Sequence, residues 1–124
     1  MIQLLEFHTQ FKRHRETIPN ISIPQIVKAE RKMLLSEEVR ELIEAIDGDS
    51  LENISKELCD VLYAVFGTAV AFGLTDNLEA IFEEVHKSNM SKLDQNGQPL
   101  IREDGKILKS ELYRKPDLSG FFST

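Results

Sequence analysis

The sequence predicts an all-α fold: a bundle of four to five helices with a short irregular or hairpin tail, assembled into an oligomer. Three observations predict it. Apolar residues recur at helical spacing over four successive segments. Capping and stop signals separate those segments. Beyond Leu93 the helical pattern gives way to glycine-containing turns.

The first helix is expected over Ile2–Arg15, where Leu4, Leu5, Phe7, His8 and Phe11 make a mixed apolar face. Glu16–Pro24 reads as a loop, punctuated by Pro19-Asn20 and Pro24. The second helix opens near Ser22, where S-I-P-Q has the form of a capping box with proline in the first turn. It runs to Ile46 and stops at Asp47-Gly48. The third opens at Asp49 or Ser50, with Glu52 as the box partner of Asp49, and stops at Gly73. The fourth runs from Thr75 or Asp76 to Ser91, with Leu78, Phe82 and Val85 as its inner face. Asn96-Gly97 and Asp104-Gly105 are turn signals, and Leu100-Ile101 and Ile107-Leu108 flank the second as a small hairpin. Leu118, Phe121 and Phe122 are apolar residues near the terminus that are expected to dock. The 124 residues read as one domain, with a helical core over 1–93 and a tail over 94–124.

Composition narrows the function. A net charge of −6 argues against a nucleic-acid-binding surface, which is normally basic. The longest apolar run, Val61–Leu74, is shorter than the ~20 residues a membrane span needs, and Asp60 borders it. Cys59 is the only cysteine, so no intrachain disulfide forms and a reducing, cytoplasmic setting fits. It reads as a small buried filler, since no activating base is apparent.

Two acidic clusters carry the chemistry. The first, in S-E-E-V-R-E, is Glu37, Glu38 and Glu41; the second, in K-E-L-C-D, is Glu57 and Asp60. The first three fall within an arc of about 100° on a helix, and Glu57 and Asp60, three apart, share a face. Solvated surface is the ordinary reading of such residues. Here Val27, Leu34, Glu38, Glu41 and Ala45 follow one inward stripe, and Glu57, Asp60, Ala64, Gly67 and Ala71 follow another. The small residues of the second stripe let a neighbouring helix approach. Leu58, Val61, Val65, Ala69 and Phe72 form a further apolar stripe, so the third helix is expected to be covered on most sides. Buried acids need a partner, and a hard divalent cation prefers oxygen ligands.

Glu38-x-x-Glu41, fifteen residues, then Glu57-x-x-Asp60, followed by the His86-to-Leu93 segment, resembles the MazG-like all-α NTP pyrophosphatases. The stretch from Gly105 to Pro116 is similar to the phosphoribosyl-ATP pyrophosphohydrolase-like branch. The resemblance implies that Glu38, Glu41, Glu57 and Asp60 ligate Mg²⁺, with Mn²⁺ as a substitute, and that Glu37 orients or deprotonates the attacking water. It implies cleavage of a nucleoside triphosphate, ribo or deoxy, between the α and β phosphates. Asn89 and Lys92 are then candidates for contact with phosphate or sugar, against an Asn C-cap and a solvated lysine. Lys109 and Tyr113 are weaker candidates for closing over the site. Phe7, His8 and Phe11 suit either a nucleobase pocket or plain core packing, the latter favoured.

The expected protein is a Mg²⁺-dependent nucleotide pyrophosphohydrolase, a homodimer or homotetramer, with a role in nucleotide-pool cleaning. Two rivals stand: hydrolysis of phosphoribosyl-ATP, and a non-catalytic helical module that binds nucleotides or oligomerises.

Overall fold

In the computed structural model, described over residues 1–122, four α-helices precede a two-stranded ribbon and a short 3₁₀ turn. The elements are α1 (Ile2–Gln10), α2 (Gln25–Ile46), α3 (Leu51–Phe72), α4 (Leu78–Met90), β1 (Leu100–Ile101) and β2 (Ile107–Leu108). The all-α class and the irregular tail are as the sequence predicts. Ser123 and Thr124, the last positions of the expected tail, lie outside the described residues. The chain divides into two compact units, Met1–Asp76 and a second beginning at Asn77, so α4 groups with the tail.

Within the first unit, α1 and α2 both pack on α3. The helices α2 and α3 are 22 residues each, about 33 Å at ~1.5 Å per residue, and only Asp47–Ser50 joins them. A connection that short makes them antiparallel neighbours. Ser50 caps α3, its Oγ accepting from the Asn53 amide at 3.1 Å. Gly73 closes α3 at φ 74°, and the Leu74 amide donates back to the Ala69 carbonyl at 2.8 Å. The inward stripe of α3 is buried at Ala64, Gly67 and Ala71, as its small residues predict.

Several boundaries differ from the sequence reading. Helix α1 ends at Gln10 rather than Arg15, because Lys12 takes a left-handed φ of 54°. The Arg13 amide then donates to the His8 carbonyl at 2.8 Å, which turns the chain out of the helix. Helix α2 begins at Gln25, with Pro24 at the N-cap and no side-chain cap, so the S-I-P-Q box does not form. Ser22 sits instead in a turn, its amide bonded to Asn20 Oδ1. The segment between α1 and α2 is tied to the end of α3: the Glu16 and Asn20 amides donate to the Val70 and Phe72 carbonyls at 3.1 and 3.0 Å. Those carbonyls are among the acceptors a helix end leaves free.

The core of the chain is thin. Val70 is the one large side chain fully enclosed among the described residues. The second apolar stripe of α3 is not covered as expected: Ala69 is buried, but Leu58 and Val65 are 48% and 41% exposed. Ile26, Met33 and Ile43 of α2 are exposed as well. No helix among the described residues is long and apolar enough to cross a membrane.

In the second unit the hairpin forms where the turn signal placed it. Leu100 pairs with Leu108 and Ile101 with Ile107, antiparallel, across Asp104-Gly105. Two strands are marginal alone, and the tail beyond them is tied to α4. Ser88 Oγ donates to the Arg114 carbonyl at 2.8 Å, and the Arg114 amide donates to Ser91 Oγ at 2.9 Å. Phe121 is half-buried and pairs edge-on with Phe122 at 6.5 Å. Phe82, expected on the inner face of α4, is exposed.

Candidate active site

The site is built by α2 and α3. On α2, Glu38 and Glu41 follow the half-buried stripe of Val27 and Leu34, while Glu37, Arg40 and Glu44 point outward. On α3, Glu57 and Asp60 open the stripe that Ala64, Gly67 and Ala71 complete. Glu38, Glu41 and Glu57 each place a carboxylate oxygen within 4.8 Å of the others. Glu57 is the most enclosed, with 12% of its side chain exposed. Oε2 of Glu38 and Oε2 of Glu57 are buried and have no hydrogen-bond partner among the described residues.

Carboxylate oxygens cannot bond to one another while ionised, so their mutual approach without a cation is unfavourable. Glu38 shows it: burial first, then the charges of Glu41, Asp60, Glu57 and Glu37, raise its carboxyl above the ordinary value. The chain supplies one partial counter-ion. Lys56 Nζ lies 2.7 Å from Asp60 Oδ2 and 3.3 Å from Glu57 Oε1. Asp60, and then Glu57, hold that ammonium well above the ordinary lysine range. Lys56 is 64% exposed, so solvent screens the pair. It leaves the orphaned oxygens of Glu38 and Glu57 unmet. An all-carboxylate donor set with buried free oxygens fits a hard divalent cation.

Asp60 stands apart from the triad in its partner, Lys56, yet lines the same cavity as Glu38. That cavity, about 230 Å³, has Leu4, Phe7, Leu34 and Tyr63 as its apolar walls. Phe7 stacks on Phe11 at 4.4 Å between ring centroids and meets Tyr63 edge-on at 5.3 Å. Phe7 thus serves both packing and the cavity wall, whereas Phe11 is exposed. Glu37 is exposed beside the cluster.

Asn89, Lys92, Lys109 and Tyr113 all belong to the second unit. Asn89 is exposed near the end of α4, whose C-cap is Ser91, so Asn89 is not the cap. Lys92 is half-buried in the turn that follows. Lys109 is exposed, with its Nζ 4.7 Å over the Tyr113 ring in a cation–π contact. Cys59 is exposed, not a buried filler: Glu57 and Asp60 face the cluster, and position 59 turns away from it.

Sequence reasoning missed Arg31. It is buried, 7% exposed, and lies on the same α2 stripe as Glu38, seven residues earlier. The signal that marks the acids, a charge interrupting an inward stripe, marks Arg31 too. Its Nε donates to Thr68 Oγ1 at 3.2 Å and its Nη2 to the Ala64 carbonyl at 3.0 Å. Gly67 makes room for it: a Cβ there would lie 2.5 Å from Nη2. His8, also buried, donates its Nδ1–H to the His14 carbonyl, 2.8 Å away.

Comparison with known proteins gives two results. The profile of the phosphoribosyl-ATP pyrophosphohydrolase family matches residues 4–89, well over half of the chain. An uncharacterized protein of Acanthamoeba polyphaga mimivirus is 32% identical over 95 residues, which is 73% of this chain. The match covers 38% of that viral protein's length.

Proposed function

The chain belongs to the phosphoribosyl-ATP pyrophosphohydrolase family of the MazG-like all-α superfamily, pyrophosphohydrolases acting on phosphoric anhydride bonds, and from that premise we propose a metal-dependent nucleoside triphosphate pyrophosphohydrolase. The products are the nucleoside monophosphate and pyrophosphate. The observation that carries the reading is the triad: three carboxylate oxygens mutually within 4.8 Å, two of the three side chains holding a buried oxygen without a partner.

Glu38, Glu41, Glu57 and Asp60 would hold Mg²⁺, or Mn²⁺ in its place. The bound ion supplies neutralisation of the triphosphate and polarisation of the scissile phosphoryl group. The remaining work falls to side chains. Glu37, adjacent to the cluster and open to solvent, orients or deprotonates the attacking water. The walls formed by Phe7, Leu34 and Tyr63 take the base and exclude water from one side of the cluster. Asn89 and Lys92 are candidates for contact with phosphate or sugar, and Lys109 and Tyr113 are weaker candidates for closing over the substrate. The exposed apolar residues of α2 and α3 support a homodimer or homotetramer, and the composition supports a cytoplasmic setting.

The experiment is pyrophosphate release from a panel of NTPs, dNTPs and phosphoribosyl-ATP with Mg²⁺ or Mn²⁺. Glu38→Gln and Asp60→Asn are expected to lower turnover by at least ~10³-fold with the fold intact by circular dichroism. Full activity in either variant refutes the ligand assignment. Preference for phosphoribosyl-ATP selects the biosynthetic rival, and silence across the whole panel selects the non-catalytic module.

A further inference from the structure

A second cavity of the first unit, about 320 Å³, shares Arg31 and His8 with the carboxylate cavity. Its lining is cationic in a protein whose net charge is −6. Lys12, Arg13 and Arg31 converge there with His8 and His14, from the end of α1, the turn that follows and the first half of α2. Glu30 is the acid in the lining; it is half-buried, and its Oε1 meets Nη1 of the exposed Arg13 at 3.5 Å. Glu16 faces His14 from the neighbouring loop, at 3.3 Å.

Arg31 is the anomaly. It is more than nine-tenths buried, and no carboxylate lies within ion-pair distance of it among the described residues. Two of its five N–H groups are bonded, to Thr68 and Ala64, and Nη1 has no acceptor in the protein among those residues. An arginine does not shed its proton; Glu30, in the same cavity, supports the Arg31 charge from beyond ion-pair distance and leaves Nη1 open to the cavity for a further oxygen partner. Lys12 also makes no ion pair among the described residues, and its left-handed φ of 54°, uncommon for a residue with a side chain, turns the chain at the cavity's edge.

We propose that this cavity is an oxyanion subsite for a phosphoryl group, with Arg31 as its buried anchor and Lys12 and Arg13 at its mouth. A guanidinium edge matches two phosphoryl oxygens, and two further cations surround the rest. The phosphoryl group is either one carried by the nucleotide, reaching past Arg31 from the first cavity, or a free anion such as inorganic phosphate or the pyrophosphate product. The subsite stands on Arg31 and its neighbours and does not depend on the catalytic reading.

The test titrates the full chain, metal-free, with inorganic phosphate and then with pyrophosphate, by calorimetry at constant ionic strength against chloride. Saturable binding is expected, weakened about ten-fold for each charge removed in Lys12→Gln and Arg13→Gln, and lost in Arg31→Gln. The two mouth variants are at exposed positions and keep the test decisive if Arg31→Gln does not fold. A non-hydrolysable α,β-methylene nucleoside triphosphate is then added to the phosphate-bound protein. Displacement of phosphate assigns the subsite to the substrate's own phosphoryl group, and simultaneous binding assigns it to a free anion. Absence of saturable binding by either anion, or binding unchanged in both mouth variants, overturns the proposal.

Discussion

Glu38 has the clearest physical signature of any single residue. Its carboxyl is raised above the ordinary 4.5 by burial and by four neighbouring acids. For an acid raised on folding, the metal-free protein holds the associated stability below pH 4.5 and loses it as pH climbs through the raised value. At neutral pH, Glu38 therefore works against the fold until a cation arrives. Glu38→Gln is expected to stabilise the metal-free protein at neutral pH by about 1 kcal/mol, even as it removes activity. The gain should vanish below pH 4.5. Thermal melts of both proteins in chelator, across that pH range, check the sign. Arg31 and Lys56 belong to the same story of charge. Arg31 interrupts the stripe used to find the acids and Lys56 lies beside one, yet a cation among acids reads in sequence as surface decoration. Only the packing shows that Arg31 is enclosed and that Lys56 reaches Asp60.

At the scale of elements, two glycines in α3 and at its end have different duties. Gly67 lets α2 come close enough to seat Arg31, and a methyl group there would lie 2.5 Å from Nη2 and 3.2 Å from His8 Nε2. Both neighbours are side-chain ends, so Gly67→Ala is expected to cost about 1–3 kcal/mol while shifting Arg31. Gly73 holds φ +74°, and a Cβ there would collide with the Ile18 carbonyl. Backbone cannot swing aside as a side chain can, so Gly73→Ala is expected to cost more than Gly67→Ala. Denaturant melts of the pair rank them. The elements themselves were largely legible in sequence, because α2 and α3 are long and α3 and α4 are strongly periodic. Their starts were less so: Ser50 opens α3 as expected, but α2 and α4 begin later than their sequence signals. The Ser22 box satisfied a pattern, but Pro24 at the cap and the Asn20–Ser22 turn took its place. The end of α1 depended on Lys12 and on His8 bonding to His14, tertiary facts that no local pattern carries.

At the scale of the whole molecule, stability and function are coupled through what the chain lacks by itself. The orphaned oxygens of Glu38 and Glu57 call for a cation. The exposed Leu58 and Val65 of α3, with Ile26, Met33 and Ile43 of α2, call for apolar cover. Millimolar Mg²⁺ is expected to raise the melting temperature by several degrees, through binding to the folded state alone. Glu57→Gln should reduce that shift. Analytical ultracentrifugation should find an oligomer at micromolar concentration, and Leu58→Glu should shift it toward monomer. The acidic pair of motifs was visible from spacing. The stripe Leu58-to-Phe72 was also visible, but the sequence could not show that part of it stays open within one chain.

The stitching of the Glu16 and Asn20 amides onto the last turn of α3 has a consequence for proteolysis. Arg13 and Arg15 are exposed trypsin targets in an irregular segment, the usual place for a nick. A protease needs an unwound stretch to thread, and here unwinding must first detach that stretch from the α3 terminus. Trypsin should therefore cut first around Arg102 and Lys106, in the exposed hairpin, and spare Arg13 and Arg15. In Gly73→Ala, which disturbs the seat of Ile18, the order should reverse. Peptide mapping over time would show whether this linker is in effect a clasp, one that keeps α1 attached to the helices it serves.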